Sequence, residues 1–337
     1  MTTVVLFLLV NLIVAGVTTI LLGKVERRFD WILRCVNILT YVWVLVVLFG
    51  LSVYGTTGEG VVINWAFMGW ATIILPLVNL AITVLLSLPG RPPGFESYSF
   101  SHAGWRDHNE DVVLECPERG LFAAIDGVGG HAYGEVAAEI LRAELDATCV
   151  GTPRQEKLVK AFVAANAKML NEAKQRKVAD MMCVATVVWA WREGDELHVC
   201  VGHVGDTRGY AFFPKGDFVQ FTKDHSSIPG GLSELEQMKH PRRNLLTKSL
   251  GAEPLDPKNT KPWGDFFTVK YPLDTLFLLV TDGVSDGVMS GELANVVCGY
   301  SRRGLRVLVQ KIFAAAYMGQ PRFGKKDNIG IVAARWV

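Results

Sequence analysis

Four short apolar runs in this chain each end, or begin, on an acidic residue. Residues 121–125 (LFAAI) lead into Asp126 and Gly127, and residues 276–280 (LFLLV) lead into Thr281, Asp282 and Gly283. Residues 198–204 lead, more weakly, into Gly205 and Asp206. At Asp327 and Asn328 the order is reversed, and the apolar run 329–334 follows. A short continuous apolar run bounded by glycine reads as a buried strand. Each strand would deliver a carboxylate at one end, where glycine lets backbone pack close to whatever the acid holds. Strands that all present acids in this way suggest one shared cluster. Such a cluster repels itself unless protons or a cation neutralise it. Donor sets made only of oxygen select hard ions such as Mg2+ or Mn2+.

The chain has 337 residues, enough for two domains or one domain with an appendage, and its 50% apolar content is unevenly spread. Residues 2–22 carry no charge. Residues 30–54 carry Arg34 near their start, and residues 61–88 contain Trp65, Trp70 and Pro76. Each run is long enough for a membrane-spanning helix, and apolar runs of this length are rare in soluble folds, which disfavours a set of buried soluble helices. A secretory signal peptide fits poorly, since no Lys or Arg precedes the first run and no clear small-residue cleavage site follows it. A proline is tolerated in a membrane helix where neighbours satisfy the freed carbonyl. Lys24, Arg27 and Arg28 crowd the first connection, Glu59 is the charge in the second, and Arg91 follows the third run. Positive charge marks the cytoplasmic side, so the N-terminus is expected outside and everything after Leu88 inside. Arg34 lies near a helix end, where it can anchor in the headgroups.

The stretch 89–94, PGRPPG, reads as a stiff linker. The expected organisation is a membrane region over 1–88, a linker over 89–95 and a second domain over 96–337. The lipid bilayer is one expected partner. A net charge of +1 gives no electrostatic case for nucleic acid. The six cysteines include no C-x-x-C pair, which argues against a zinc site and for reduced, structural thiols.

Within 96–337 the patterning predicts strands over 98–105, 112–114, 121–125, 184–191, 197–204, 210–213, 266–271, 276–280 and 329–335. Gly194 and Asp195 suit a tight hairpin turn between two of them. Helical spacing covers 136–145, 156–174, 232–239, 290–298 and 305–317. Strands come in runs with helices grouped between them, so the class is α+β.

The order of these motifs resembles the metal-dependent protein phosphatase family, the type 2C serine/threonine phosphatases, in its bacterial form. R-D-H-N-E-D at 106–111 looks like the family's opening motif. D-G-V-G-G-H-A-Y-G-E at 126–135 is similar to its central motif, and V-G-D-T-R at 204–208 to its G-D-S-R element. T-K-D-H-S at 222–226, H-P-R-R-N-L-L-T-K-S-L-G at 240–251, T-D-G-V-S-D at 281–286 and K-D-N-I at 326–329 complete the set.

The resemblance covers residues 96–337 and implies two stacked antiparallel β-sheets flanked by helices, with metals at one end of the sandwich. It implies two Mg2+ or Mn2+ ions that lower the pKa of a shared water and clamp phosphoryl oxygens. Asp126 would bridge the ions and the carbonyl of Gly127 would complete one shell. Asp282 and Asp327 would bind one metal, with Glu110 and Asp111 ligating it or orienting its waters. Asp206 with Asp282 would offer a weaker third site. Arg106 would grip the phosphate as a planar fork. His131 is a candidate to protonate the leaving oxygen.

Each assignment has a plainer alternative. Asp126, Asp206 and Asp282 could be turn residues, Arg106 could pair with Glu110 or Asp111, and His131 could be a structural hydrogen-bonder. His225 and His240 read as structural, and Trp189 and Trp191 as core or sheet surface. The chain departs from the family at residues 182–186, Met-Cys-Val-Ala-Thr, where the family has G-T-T. The segment between Ser227 and His240 is also short.

The resulting expectation is an enzyme that removes phosphate from phosphoserine and phosphothreonine on proteins, the products of a serine/threonine kinase, at the cytoplasmic face of a membrane. Two alternatives are a catalytically weak module that binds phosphoprotein or relays a membrane signal, and a different two-metal hydrolase.

Overall fold

The computed structural model describes residues 93–128, 133–214 and 216–337. The expected membrane runs at 2–22, 30–54 and 61–88 lie outside the described residues, as does His131. Among the described residues no helix is long and apolar enough to cross a membrane. Pro93–Val337 forms one compact unit.

Among the described residues, ten strands build two five-stranded sheets. One sheet contains β1 (Phe95–His102), β10 (Ile329–Trp336), β9 (Leu276–Val280), β6 (Arg208–Phe212) and β7 (Phe218–Gln220), in that order. The other contains β2 (Val112–Cys116), β3 (Leu121–Val128), β4 (Met182–Glu193), β5 (Glu196–Val204) and β8 (Asp265–Pro272). All neighbouring strands are antiparallel. Helices α1 (Tyr133–Thr148) and α2 (Gln155–Arg176) cover the second sheet. The first sheet is covered by α5 (Ser290–Tyr300) and α6 (Leu305–Gly319), while α3 (Glu234–Met238) and α4 (Asp282–Ser285) are short.

The continuous apolar runs are explained by burial on both faces. In β3, Leu121, Ala123 and Ile125 point into the core under α1 and α2, whereas Phe122 and Ala124 point into the core between the sheets. In β9, Leu276, Leu278 and Val280 face α5 and α6, while Phe277 and Leu279 face the other sheet. Neither strand can alternate with polar residues, because neither has a wet face. Trp189 is fully buried, and its Nε1–H donates to the Arg119 carbonyl at 3.0 Å, so it is core. The five described cysteines are free thiols.

The expected class and sheet arrangement match what is observed, with shifts at element ends. The first strand is Phe95–His102 rather than 98–105, because Gly104 turns with φ +62 and lies against the Asp327 carbonyl, where a Cβ would have no room. The helix expected over 232–239 is one short turn, Glu234–Met238, started by a Ser233 and Glu236 capping box. The short strand β7 (Phe218–Gln220) had no apolar pattern to announce it. Gly194, with φ +63, turns the tight connection between β4 and β5.

Candidate active site

The register brings the acidic strand ends to one edge. Ile125 pairs with Val112, so the loop carrying Arg106, Glu110 and Asp111 joins β2 where β3 delivers Asp126. His102 pairs with Ile329, and Ile331 with Val280, so Asp327 lies beside the end of β9 and Asp282. Ala185 pairs with Val204, which places Asp206 on the same edge of the second sheet.

Side chains tie the two sheets together here. The Thr281 hydroxyl donates to Asp111 Oδ2 at 2.7 Å and accepts from the Gly330 amide at 2.8 Å. Asn328 pins the 103–110 loop: its Nδ2 donates to the carbonyls of Ala103 and His108, and its Oδ1 accepts from the Glu110 amide. Gln320 receives the Asp327 amide at 3.0 Å and donates to the Gly283 carbonyl at 2.8 Å. Gly127 and Gly134 are packed so tightly that a Cβ on Gly127 would lie 2.3 Å from the Gly134 carbonyl carbon. That approach seats the first turn of α1 on the end of β3.

Electrostatics confirm that the acids act on one another. Burial pushes Asp126 well above the usual carboxylate range, and Asp111, Asp282, Asp327 and Asp206 push it further. Asp111 is raised by burial and by Asp282 and Asp327, against the hydrogen bond from Thr281. Asp206 is raised by burial, then by Asp282 and Asp224. Asp327 is pushed up to about 7, first by burial and then by Asp282. Asp282 is the exception. Burial raises it most strongly of any single influence, but Lys325, a hydrogen bond with Asp126, and Arg106 together hold it below the ordinary value.

Arg106 lies at the mouth. Its Nη2 is 2.8 Å from Asp327 Oδ1, its Nη1 is 3.8 Å from Glu110, and its Nε–H donates to the Lys326 carbonyl. The plainer pairing with Glu110 is therefore present, and Asp327 is the closer partner. Nearly half of the Arg106 side chain remains exposed, so its fork can still meet a ligand from solvent.

Arg106, Glu110, Asp111, Asp126, Gly127, Asp206, Asp282 and Asp327 thus all come to this edge. Several residues of the site carried no assigned role in the sequence. Lys325 sits among Asp282, Asp286 and Asp327. Asn328 and Gln320 fix the backbone around Asp327. Asp286 was visible only as the last letter of T-D-G-V-S-D, and Lys325 only as the first of two lysines before Asp327. His225 is structural, as expected. Its Nδ1 accepts from the Gly205 amide at 3.0 Å and its Nε2 faces Asp265, bracing the turn before Asp206.

The donors are hard oxygens, and a side chain on Gly134 would crowd the Gly127 carbonyl oxygen at 2.8 Å, so the residues present fit a divalent cation cluster. Asp327 is drawn onto Arg106 and Asp282 onto Lys325, and among the described residues no three acids close a ligand shell.

Helices outside two stacked antiparallel sheets, with acids from five segments at one edge, define a phosphoester-hydrolase layout. A sequence model of the family Protein phosphatase 2C matches residues 101–313, and the chain belongs to that family. It is 28% identical over 251 residues to the serine/threonine phosphatase stp of Listeria welshimeri, covering 67% of this chain and 90% of that protein. It is 30% identical over 193 residues to the serine/threonine protein phosphatase PstP of Mycobacterium tuberculosis, covering 54% of this chain and 35% of that one. The crystal structure of PstP from Mycobacterium tuberculosis superposes with a TM-score of 0.61 at 25% identity, over 72% of this chain and 98% of that one. A PstP catalytic domain solved with two manganese ions superposes with a TM-score of 0.59 at 24% identity, over 73% of this chain and 99% of that one.

Proposed function

We propose that this protein hydrolyses phosphoserine and phosphothreonine esters on proteins, dependent on two Mg2+ or Mn2+ ions, at the cytoplasmic face of a membrane. One observation carries the reading: Asp111 and Asp327 are buried, Asp126 and Asp282 stand part-buried beside them, and these four acids from separate segments perturb one another's ionisation. Burying that many acids side by side is unfavourable unless cations meet them, and a phosphate site is where cations are useful. The two manganese ions of the PstP catalytic domain are in keeping with this donor set.

Asp126 and the Gly127 carbonyl would hold the ions together with Asp282 and Asp327. When bound, the ions lower the pKa of water and neutralise phosphoryl oxygens. Thr281 orients the Asp111 carboxylate, and Asn328 holds the loop that carries Glu110. Arg106 would exchange its contact with Asp327 for the two oxygens of an incoming phosphate, a bidentate match that lysine cannot supply. Ester hydrolysis also needs a proton for the departing serine or threonine oxygen, and His131, beside Asp126 in sequence, is the candidate donor.

The membrane part rests on the three long apolar runs before residue 89 and on the basic residues of their connections. The test is release of phosphate from phosphothreonine and phosphotyrosine peptides by the full chain, with Mn2+ and with chelator. Mn2+-dependent release from phosphothreonine is expected. Equal release with chelator, or release from phosphotyrosine alone, overturns the reading. Membrane fractionation of the full chain, with recovery in the alkaline-washed pellet, tests the location.

A further inference from the structure

Lys325 is 6% exposed, yet its ammonium lies within a group of acids. Its Nζ is 2.8 Å from Asp282 Oδ2, in hydrogen-bonding contact with Asp286 Oδ2, 3.5 Å from Asp327 Oδ2, and 3.3 Å from Asn244 Oδ1. An ammonium has three N–H groups, so Asp282, Asp286 and Asn244 use them all. The fold aims this side chain inward. The Lys325 amide donates to the Gln320 carbonyl at 3.0 Å, Gly324 turns with φ +65, and the Gln320 side chain holds Asp327 two residues on.

The surrounding charges divide into two groups. Beyond Asp282 the cleft is lined by Asp206, Asp224 and Asp286 together with Arg208 and Arg243. Arg208 forks onto Asp224, with its shortest contact at 2.7 Å, and Arg243 Nε is 3.9 Å from Asp286. With Lys325 on Asp282 and Asp286, that side carries nearly as many positive groups as acids. On the other side, Asp111 and Asp126 make no ion pair with a lysine or arginine among the described residues. The unmet negative charge therefore lies toward Asp126.

We propose that Lys325 is a tethered cation that takes the place of a third divalent ion between Asp282, Asp286 and Asp206. The chain then binds divalent ions on the Asp126 side only. The inference rests on the metal-dependent reading above. A group fixed in place acts at an effective concentration of about millimolar or higher, so an ion that binds this spot weakly does not displace it. The Asp282 and Asp286 oxygens that such an ion would need are already occupied by the ammonium.

The test is the number of Mn2+ ions bound per full-length chain, by titration calorimetry and by metal analysis after equilibrium dialysis. Wild type is expected to bind two, and Lys325→Arg also two. Lys325→Ala is expected to gain a third, weaker ion. Equal stoichiometry and affinity in wild type and Lys325→Ala overturns the proposal while leaving the phosphatase reading standing. No bound Mn2+ in either protein overturns both. Should Lys325→Ala not fold, Mn2+-soaked crystals of the wild type decide. Anomalous density on the Asp126 side alone supports the proposal. Density between Asp282 and Asp286 with Lys325 turned away overturns it.

Discussion

Asp126 combines two opposed demands. Burial and four neighbouring acids resist its ionisation, while the proposed cations would need its carboxylate ionised. Replacing it with Asn should therefore move stability and activity in opposite directions. Asp126→Asn should melt at a higher temperature than wild type in chelator, because a buried ionisable acid is gone. Its Mn2+-stimulated phosphopeptide hydrolysis should fall on the order of 10²–10³-fold, the scale of losing a group that stabilises transition-state charge. Scanning fluorimetry and a phosphate-release assay read the two effects, and a loss of stability in chelator would contradict the account. Thr281→Val removes the donor to Asp111 while keeping the shape. It should cost about 1–3 kcal/mol in urea unfolding, because a buried acceptor is left unmet. The importance of Asp126 and Asp282 was legible from the run-then-acid pattern. Thr281 and Asn328 were not, since a hydroxyl or an amide has no spacing that reveals what it will bond across 170 or 218 residues.

At the scale of elements, the site depends on how closely β3 and α1 approach. Gly127→Ala would set a Cβ 2.3 Å from the Gly134 carbonyl carbon and 2.8 Å from the Glu110 carbonyl oxygen, both backbone atoms. Backbone cannot rotate away as a side chain can. The substitution should lower stability by about 1–3 kcal/mol or more, seen as a lower urea midpoint, with loss of metal binding. The turn before Asp206 is similarly constrained: Gly205 has φ +99, and an added Cβ would meet Val184 at 2.2 Å. Val184 lies in the segment where the family's G-T-T is absent, and it pairs with Asp126 across the sheet. Strand existence was legible here because β3 and β9 are buried on both faces. Element ends were less so, since Gly104 ends β1 and the Ser233 cap starts α3 through contacts or bonds that a hydropathy pattern does not record.

For the whole molecule, the acids set how stability depends on pH. Asp111, Asp126, Asp206, Asp286 and Asp327 all hold their protons more tightly folded than unfolded, Asp327 with a value of about 7. A raised acid contributes stability that is fully present below its unfolded value near 4 and is lost as pH rises through its folded value. Asp282, held low, opposes this in the acid range. Below about pH 6.5 the buried His203, lowered to about 4, and His225 work the other way, so the metal-free protein should melt at progressively lower temperature between about pH 6.5 and pH 8. Mn2+ should raise the melting temperature more at pH 8 than at about pH 6.5, since bound cations favour the ionised carboxylates and ligand binding stabilises the fold. Thermal melts across that range with chelator and with Mn2+ measure both, and a rising melting temperature without metal would contradict the assignment of these groups.

The sequence pattern alone determined the buried strands and the identity of most acids at their ends, because a strand wet on neither face must be apolar throughout and an acid at its end stands out; the stacking of two sheets came from the family resemblance. Tertiary structure decided the balance of charge. Lys325 lies 43 residues from Asp282 and 39 from Asp286, so only the closing of β10 beside β9 could seat its ammonium between them.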